Sequence, residues 1–226
     1  MRVPANYWMR AASIGSSIYA NRSLKNVDEQ AGPAYFEGLA ISRWLFWRRL
    51  KLAVSDIPQS NGQKAVDFGC GFGLLLPWLR ENFEETIAVD IVPELAQAFI
   101  EQWDAGLANQ RRSIRFHTTL VDAKIADSSV DLILAFDVLE HFALLDETLI
   151  EFRRILSPSG AIVVTGPTEN LLYRMGRRLV GFSGDYHRQD VYQVQTKLVE
   201  YFDVRVAHVI PRLAPLFLVL VCTRRE

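Results

Sequence analysis

The stretch Lys64–Leu79, KAVDFGCGFGLLLPWL, decides the fold. Ala65, Val66 and Phe68 read as a buried strand, Gly69, Gly71 and Gly73 as a turn, and Leu74–Leu79 as a helical start apolar enough to lie against a sheet. Glycines at alternate positions take positive φ without a Cβ clash and let the backbone approach a ligand. The amides at the N-terminus of the following helix then face that ligand.

A glycine turn after a strand is often a dinucleotide fingerprint, G-x-G-x-x-G, with the third glycine opening the helix. Here the spacing is Gly69-x-Gly71-x-Gly73, Leu74 stands where the third glycine would be, and Asp67 precedes the loop by two residues. A carboxylate there repels pyrophosphate but accepts hydrogen bonds from an ammonium group, so the site favours a zwitterion over a diphosphate. The next apolar run, Thr86–Asp90 (TIAVD), closes on a second acid. A D-x-G-x-G-x-G loop followed by an acid at the end of the next strand resembles motif I of the class I S-adenosylmethionine (SAM)-dependent methyltransferases. The resemblance covers most of Lys64–Phe202.

That resemblance implies SAM as cofactor, S-adenosylhomocysteine as product, and cofactor contacts from Asp67, Gly69, Cys70, Gly71 and Gly73. Asp90 would take the ribose hydroxyls with Ile91 beside it, and Asp122 and Ala123 would hold the adenine. The run Ser129–Phe142 looks like the family's fourth strand and following loop, which brings Phe136 and Asp137 to the cofactor and Glu140 and His141 near the transferred methyl group. His141 is a candidate general base; the alternative is that Glu140-His141 braces the loop. Asp137, Glu140 and His141 also have the carboxylate-x-x-Glu-His spacing that binds a divalent cation in quinone-pathway O-methyltransferases, with Asp here in the first Glu's place. No metal is expected; this oxygen-rich set would suit magnesium better than zinc. A small-molecule O-methyltransferase of that branch is the nearest likeness.

Around this core the composition is that of a globular chain: 226 residues, 50% hydrophobic, formal net charge −1. Nothing in that balance points to nucleic acid as a partner. The N-terminus lacks an apolar signal core, and the run Leu216–Cys222 is too short to span a bilayer; a cytoplasmic protein is expected. Cys70 and Cys222 have no cysteine two or three residues away and read as reduced structural thiols.

From Lys64 onward strands and helices alternate, which predicts a doubly wound α/β sheet, seven-stranded and mostly parallel with an antiparallel edge strand. The expected strands are Ala65–Phe68, Thr86–Val89, Ser113–His117, Val130–Phe136, Ala161–Thr165, Val204–Ile210 and Leu216–Thr223. Helices are expected at Leu74–Asn82, Pro93–Ala108, Asp146–Leu156 and about Arg188–Tyr201, and Ser157–Gly160 reads as a turn. The link Pro211–Pro215 is too short for a parallel return, so the last two strands should pair antiparallel at one edge.

Residues 1–62 read as a helical cap over the cofactor site. Within them Tyr35–Val54 is a candidate helix, its stripe running through Phe36, Ala40, Trp44, Trp47 and Leu50 while Arg43, Arg48, Arg49 and Lys51 supply charge. The core then spans 63–226, with an insert at 166–189 for the acceptor. In that insert Arg174, Arg177 and Arg178 oppose Leu171, Leu172, Met175 and Leu179. Gly181 and Gly184 suit a hinged lid carrying Asp185, Tyr186 and a second candidate catalytic residue, His187. His117 and His208 read as structural or surface residues.

The expected acceptor is a small or lipid-like molecule, methylated most readily on oxygen. The two basic, aromatic segments suggest peripheral contact with an anionic membrane. The rival readings are an NAD-dependent oxidoreductase, opposed by Asp67 and the glycine spacing, and a non-catalytic SAM-fold scaffold. Oligomeric state is not legible.

Overall fold

The computed structural model describes residues 3–21, 32–57, 62–105, 112–171, 173–174 and 188–225. Seven strands form one sheet: β1 (Lys64–Phe68), β2 (Glu85–Val89), β3 (Ile114–His117), β4 (Val130–Phe136), β5 (Leu156–Pro167), β6 (Phe202–Ile210) and β7 (Phe217–Arg224). Their order is β3-β2-β1-β4-β5-β7-β6. β7 runs antiparallel to both neighbours and every other pairing is parallel. The antiparallel pair closes one edge as expected, but the reversed strand itself lies one place in, with β6 outermost. The short link after β6 turns the chain back, and β7 fills the gap beside β5.

The central strands are buried on both faces, which is why they read as continuous apolar runs rather than alternating ones. Val66, Ile87 and Ile133 are completely enclosed on one face, Ala65 and Leu134 on the other. The first face is covered by α5 (Asp146–Ile155) and α6 (Val191–Tyr201), whose Leu149, Phe152 and Leu198 are fully buried. Asp190 and Gln193 form a capping box at the start of α6, satisfying orphan amides there. The second face is covered by α3 (Leu76–Asn82), α4 (Glu94–Asp104), α1 (Ala5–Ala20) and α2 (Ala40–Ser55). Arg80 of α3 makes a bidentate pair with Asp104 of α4, at 2.8 and 2.5 Å.

The N-terminal segment departs from its sequence reading. The expected helix over Tyr35–Val54 is broken: a five-residue π-helix, Pro33–Glu37, ends at Gly38, and α2 starts after Leu39. Within α2 the buried face runs through Arg49, Leu50, Ala53 and Val54, while Trp44 is 51% exposed. Trp47 stays half-buried, packed edge-on against Trp8 and Tyr35. Residues 157–160 belong to β5 but bulge out of register, since Val130 pairs with Leu156 and Leu132 with Ala161; the expected turn is this excursion. Asp131 is opposite it and accepts from Ser157 Oγ and from the amides of Gln63 and Lys64. The lid Gly181–His187, together with Arg177 and Arg178, lies outside the described residues.

Candidate active site

β1, β2 and β3 are laid down in one direction from the middle of the sheet, then β4 and β5 in the other. In such sheets ligands bind at that reversal, outside the carboxyl ends of the strands. The loop after β1 is there. Gly69, Gly71 and Gly73 have φ of 72°, 52° and 71°, values that side-chain-bearing residues rarely take. A Cβ on Gly69 would come within 2.4 Å of Val138, and one on Gly73 within 3.0 Å of Ala96 on α4. Gly73 thus supplies the close helix packing that the missing third Rossmann glycine would give. The turn is tied down by the Gly69 and Cys70 amides, which donate to Val89 O at 2.7 and 3.2 Å.

Asp90, at the end of β2, accepts from the Gly71 amide at 2.8 Å through Oδ2 and from the Val92 amide at 2.9 Å through Oδ1. One carboxylate therefore fixes the glycine loop to the next turn. Ile91 beside it is 86% exposed. After β3, Asp122 is exposed and accepts from Thr119 Oγ1 at 2.7 Å and Thr118 Oγ1 at 3.3 Å, while Ala123 is buried.

Asp67 is only 5% exposed. Burial, reinforced by Asp90, pushes its carboxyl up to about 7. The same surroundings push the neighbouring Cys70 thiol up, burial first, which fits an inert structural thiol. A buried carboxylate beside a second one is a place where a cation is stabilising. The residues present therefore suit SAM: a glycine cradle, a diol acceptor at Asp90, and a carboxylate for an ammonium at Asp67.

A second cluster sits at the ends of β4 and β5. Asp137 and Glu169 both take positive φ, 50° and 48°, and such outliers gather at functional sites. The Asp137 amide donates to Thr165 O at 3.0 Å and its Oδ1 accepts from Thr165 Oγ1 at 3.2 Å. From the N-terminal helices Arg49, 1% exposed, forms a salt bridge with Asp137 and donates to Tyr35 Oη at 2.9 Å. Burial opposes the charge on Arg49, but Asp137 and Tyr35 hold its pKa above the ordinary value.

Glu140 is 1% exposed, and burial, then Asp137, keeps its carboxyl well above the usual carboxylate range. His141, next in the same 3-10 turn, is exposed. The structure thus brings Asp137 and Glu140 together and turns His141 outward. Among the described residues no three His, Cys, Asp or Glu side chains converge as metal ligands; Asp137 is engaged by Arg49 instead. His208 pairs with Asp56 below α2.

Arg49 and Tyr35 are the members of this cluster that sequence reading did not assign to the site; Glu169 and Tyr173, which shares the cluster's electrostatics, fall in the 166–189 insert it gave to the acceptor. For Arg49 a signal existed: it lies three residues from Phe46 and four from Ala53, on the buried stripe rather than opposite it.

Residues 66–164 match the protein family described as methyltransferase domain. A curated relative, the hybrid PKS-NRPS synthetase lepA of Aspergillus flavus, is 28% identical over 142 residues; the match covers 59% of this chain, which spans only 4% of that protein. Among solved structures, the PH0226 protein of Pyrococcus horikoshii superposes with a TM-score of 0.66 at 17% identity, over 85% of this chain and 96% of that one. The CurJ carbon methyltransferase superposes with a TM-score of 0.57 at 20% identity, over 80% of this chain and 53% of that one. Residues 66–164, which hold the glycine cradle and its two acids, match a methyltransferase domain, and the sheet with its flanking helices has the class I methyltransferase fold.

Proposed function

We propose that this enzyme methylates an oxygen atom of a small, lipid-like acceptor, in the manner of the small-molecule O-methyltransferases, and that it works against an anionic membrane surface. The observation that carries the surface reading is the outer side of α2. Leu39, Ile41 and Trp44 are all more than half exposed, Arg43, Arg48 and Lys51 are exposed among them, and Ala40–Ser55 contains no acidic residue. The Arg48 guanidinium lies 5.3 Å from the centroid of the Trp44 ring. Such a face suits a phospholipid interface, where an indole is half apolar and half wet and each cation gains from the surface potential.

SAM supplies a methyl carbon already activated by a sulfonium, so the protein's work is to align the acceptor and exclude water. In this reading Asp67 attracts the cationic cofactor, Asp90 takes the ribose diol, and Ile91, Asp122 and Ala123 flank the adenine. Phe136 and Asp137 lie between cofactor and acceptor. The N-terminal helices cap that space, and the acceptor insert 166–189 with His187, which lies outside the described residues, is assigned the rest of it. His141, exposed at its mouth, serves as base only for an acceptor that arrives protonated.

Flotation with phosphatidylserine-containing vesicles at low salt tests the surface reading. The wild-type protein should float, and an Arg43/Arg48/Lys51→Glu variant should remain in the soluble fraction. A wild-type protein that never floats would leave a water-soluble acceptor.

A second reading is transfer to carbon, favoured by the likeness to a carbon methyltransferase and to a polyketide-nonribosomal peptide synthetase. The 13C shift of the methyl delivered from labelled SAM separates the two products.

A further inference from the structure

Arg49 holds more hydrogen-bonding capacity than its structural contacts use. Its Nη2 faces Asp137 and Tyr35. Phe46 and Phe217 flank the guanidinium, each with its ring centroid 4.6 Å away. This fixes the fork in position, yet its Nη1 is buried and has no hydrogen-bond partner among the described residues. In the same cluster the Oε1 of Glu140 is likewise buried and unpartnered. Natural interiors keep few such groups, and two in one cluster call for an occupant. They lie next to Asp137, at the carboxyl end of β4, where a doubly wound sheet places its ligand.

We infer that Arg49 is an acceptor-binding residue: its Nη1 donates to an oxygen of the methyl acceptor while Nη2 remains clamped by Asp137 and Tyr35. The acceptor then carries a carbonyl, enolate, phenolate or carboxylate oxygen at or beside the atom that is methylated. The free carboxyl oxygen of Glu140 completes the polar end by meeting a hydroxyl or amine hydrogen of the same molecule. The guanidinium comes from α2 and Asp137 from the sheet, so this subsite exists only when the N-terminal helices are docked. The inference rests on the methyl-transfer reading and adds the class of acceptor to it.

The test is calorimetry on the S-adenosylhomocysteine-loaded protein, titrated separately with benzoate, phenol and 1,3-cyclohexanedione. The wild type should bind at least one of these probes, and Arg49→Met should weaken that binding at least tenfold, with Arg49→Lys in between. Affinity for S-adenosylhomocysteine should stay within twofold in both variants. An Arg49→Met/Asp137→Asn double variant, which leaves no unpaired buried charge, serves if the single variant fails to fold. Absence of any probe binding by the wild type, or probe binding indifferent to Arg49, overturns the inference. So does a parallel loss of S-adenosylhomocysteine affinity, which would make Arg49 a structural residue. If the wild type fails to bind S-adenosylhomocysteine at all, the methyl-transfer reading itself falls.

Discussion

Asp67→Asn should make the ligand-free protein more stable at pH 8 while weakening its hold on SAM ten- to a hundredfold. The native carboxyl titrates near 7 rather than at its ordinary 3.8, because it is buried and faces Asp90. Between about pH 4 and pH 7 the native state therefore holds a proton that the unfolded chain has lost, and stability falls as pH rises through that window. Over the whole window the loss is about 4 kcal/mol, at 1.36 kcal/mol per pKa unit. Asparagine removes the ionisation but must still be buried, so a gain of about 2 kcal/mol is expected. For a chain of this size that is a rise of roughly 5 °C in melting temperature. The same linkage applies to binding: wild-type affinity for SAM should drop about tenfold per pH unit below 7, because the cation needs the ionised acid. Calorimetry and thermal melts from pH 5 to 8 check both, and an asparagine variant with unchanged affinity would remove Asp67 from the site.

Asp90→Ala should be more damaging to binding, by about a hundredfold or more. Asp90 organises the loop through the Gly71 and Val92 amides, and in the proposed site it also accepts from the ribose hydroxyls. Each hydrogen bond to a charged group contributes about 1.5–3 kcal/mol, and 1.4 kcal/mol is a factor of ten in affinity. The ligand-free variant should also melt at lower temperature, because two loop amides lose their acceptor. An unchanged dissociation constant in a folded Asp90→Ala protein would place the ribose elsewhere.

The glycine turn proposed as the cofactor cradle was legible because its geometry is local. Asp67, the glycines and Asp90 sit within one strand-turn-helix-strand passage, and the residues that make the turn are those the proposal gives to the cofactor. The strand runs were legible for a similar reason: Val66, Ile133 and their neighbours are buried on both faces, so the apolar signal is strong in each segment. The polar cluster proposed for the acceptor was not. Its polar groups come from the π-helix, α2, the end of β4 and the segment after β5, and no window of sequence contains more than a part of that set.

Arg49 shows how this fails. The stripe drawn through Phe36, Trp44 and Trp47 leaves Arg49 outside; α2, which begins only at Ala40, buries Arg49, Leu50, Ala53 and Val54. Glu140 and His141 are a second instance, adjacent in sequence and opposite in environment. A 3-10 turn directs one side chain inward and the next outward, and the spacing alone does not distinguish them. The place of β7 inside the edge is a third. A short link establishes that two strands are antiparallel, but not which of them pairs with β5.

The central claim is that the cradle between β1 and β2 holds SAM. Titration of the wild-type protein with SAM, S-adenosylhomocysteine and NADH, each by calorimetry at pH 7.5, tests it most directly. Saturable one-to-one binding of both sulfur compounds, with no heat from NADH beyond dilution, is the predicted result; saturable NADH binding with neither sulfur compound bound would contradict it.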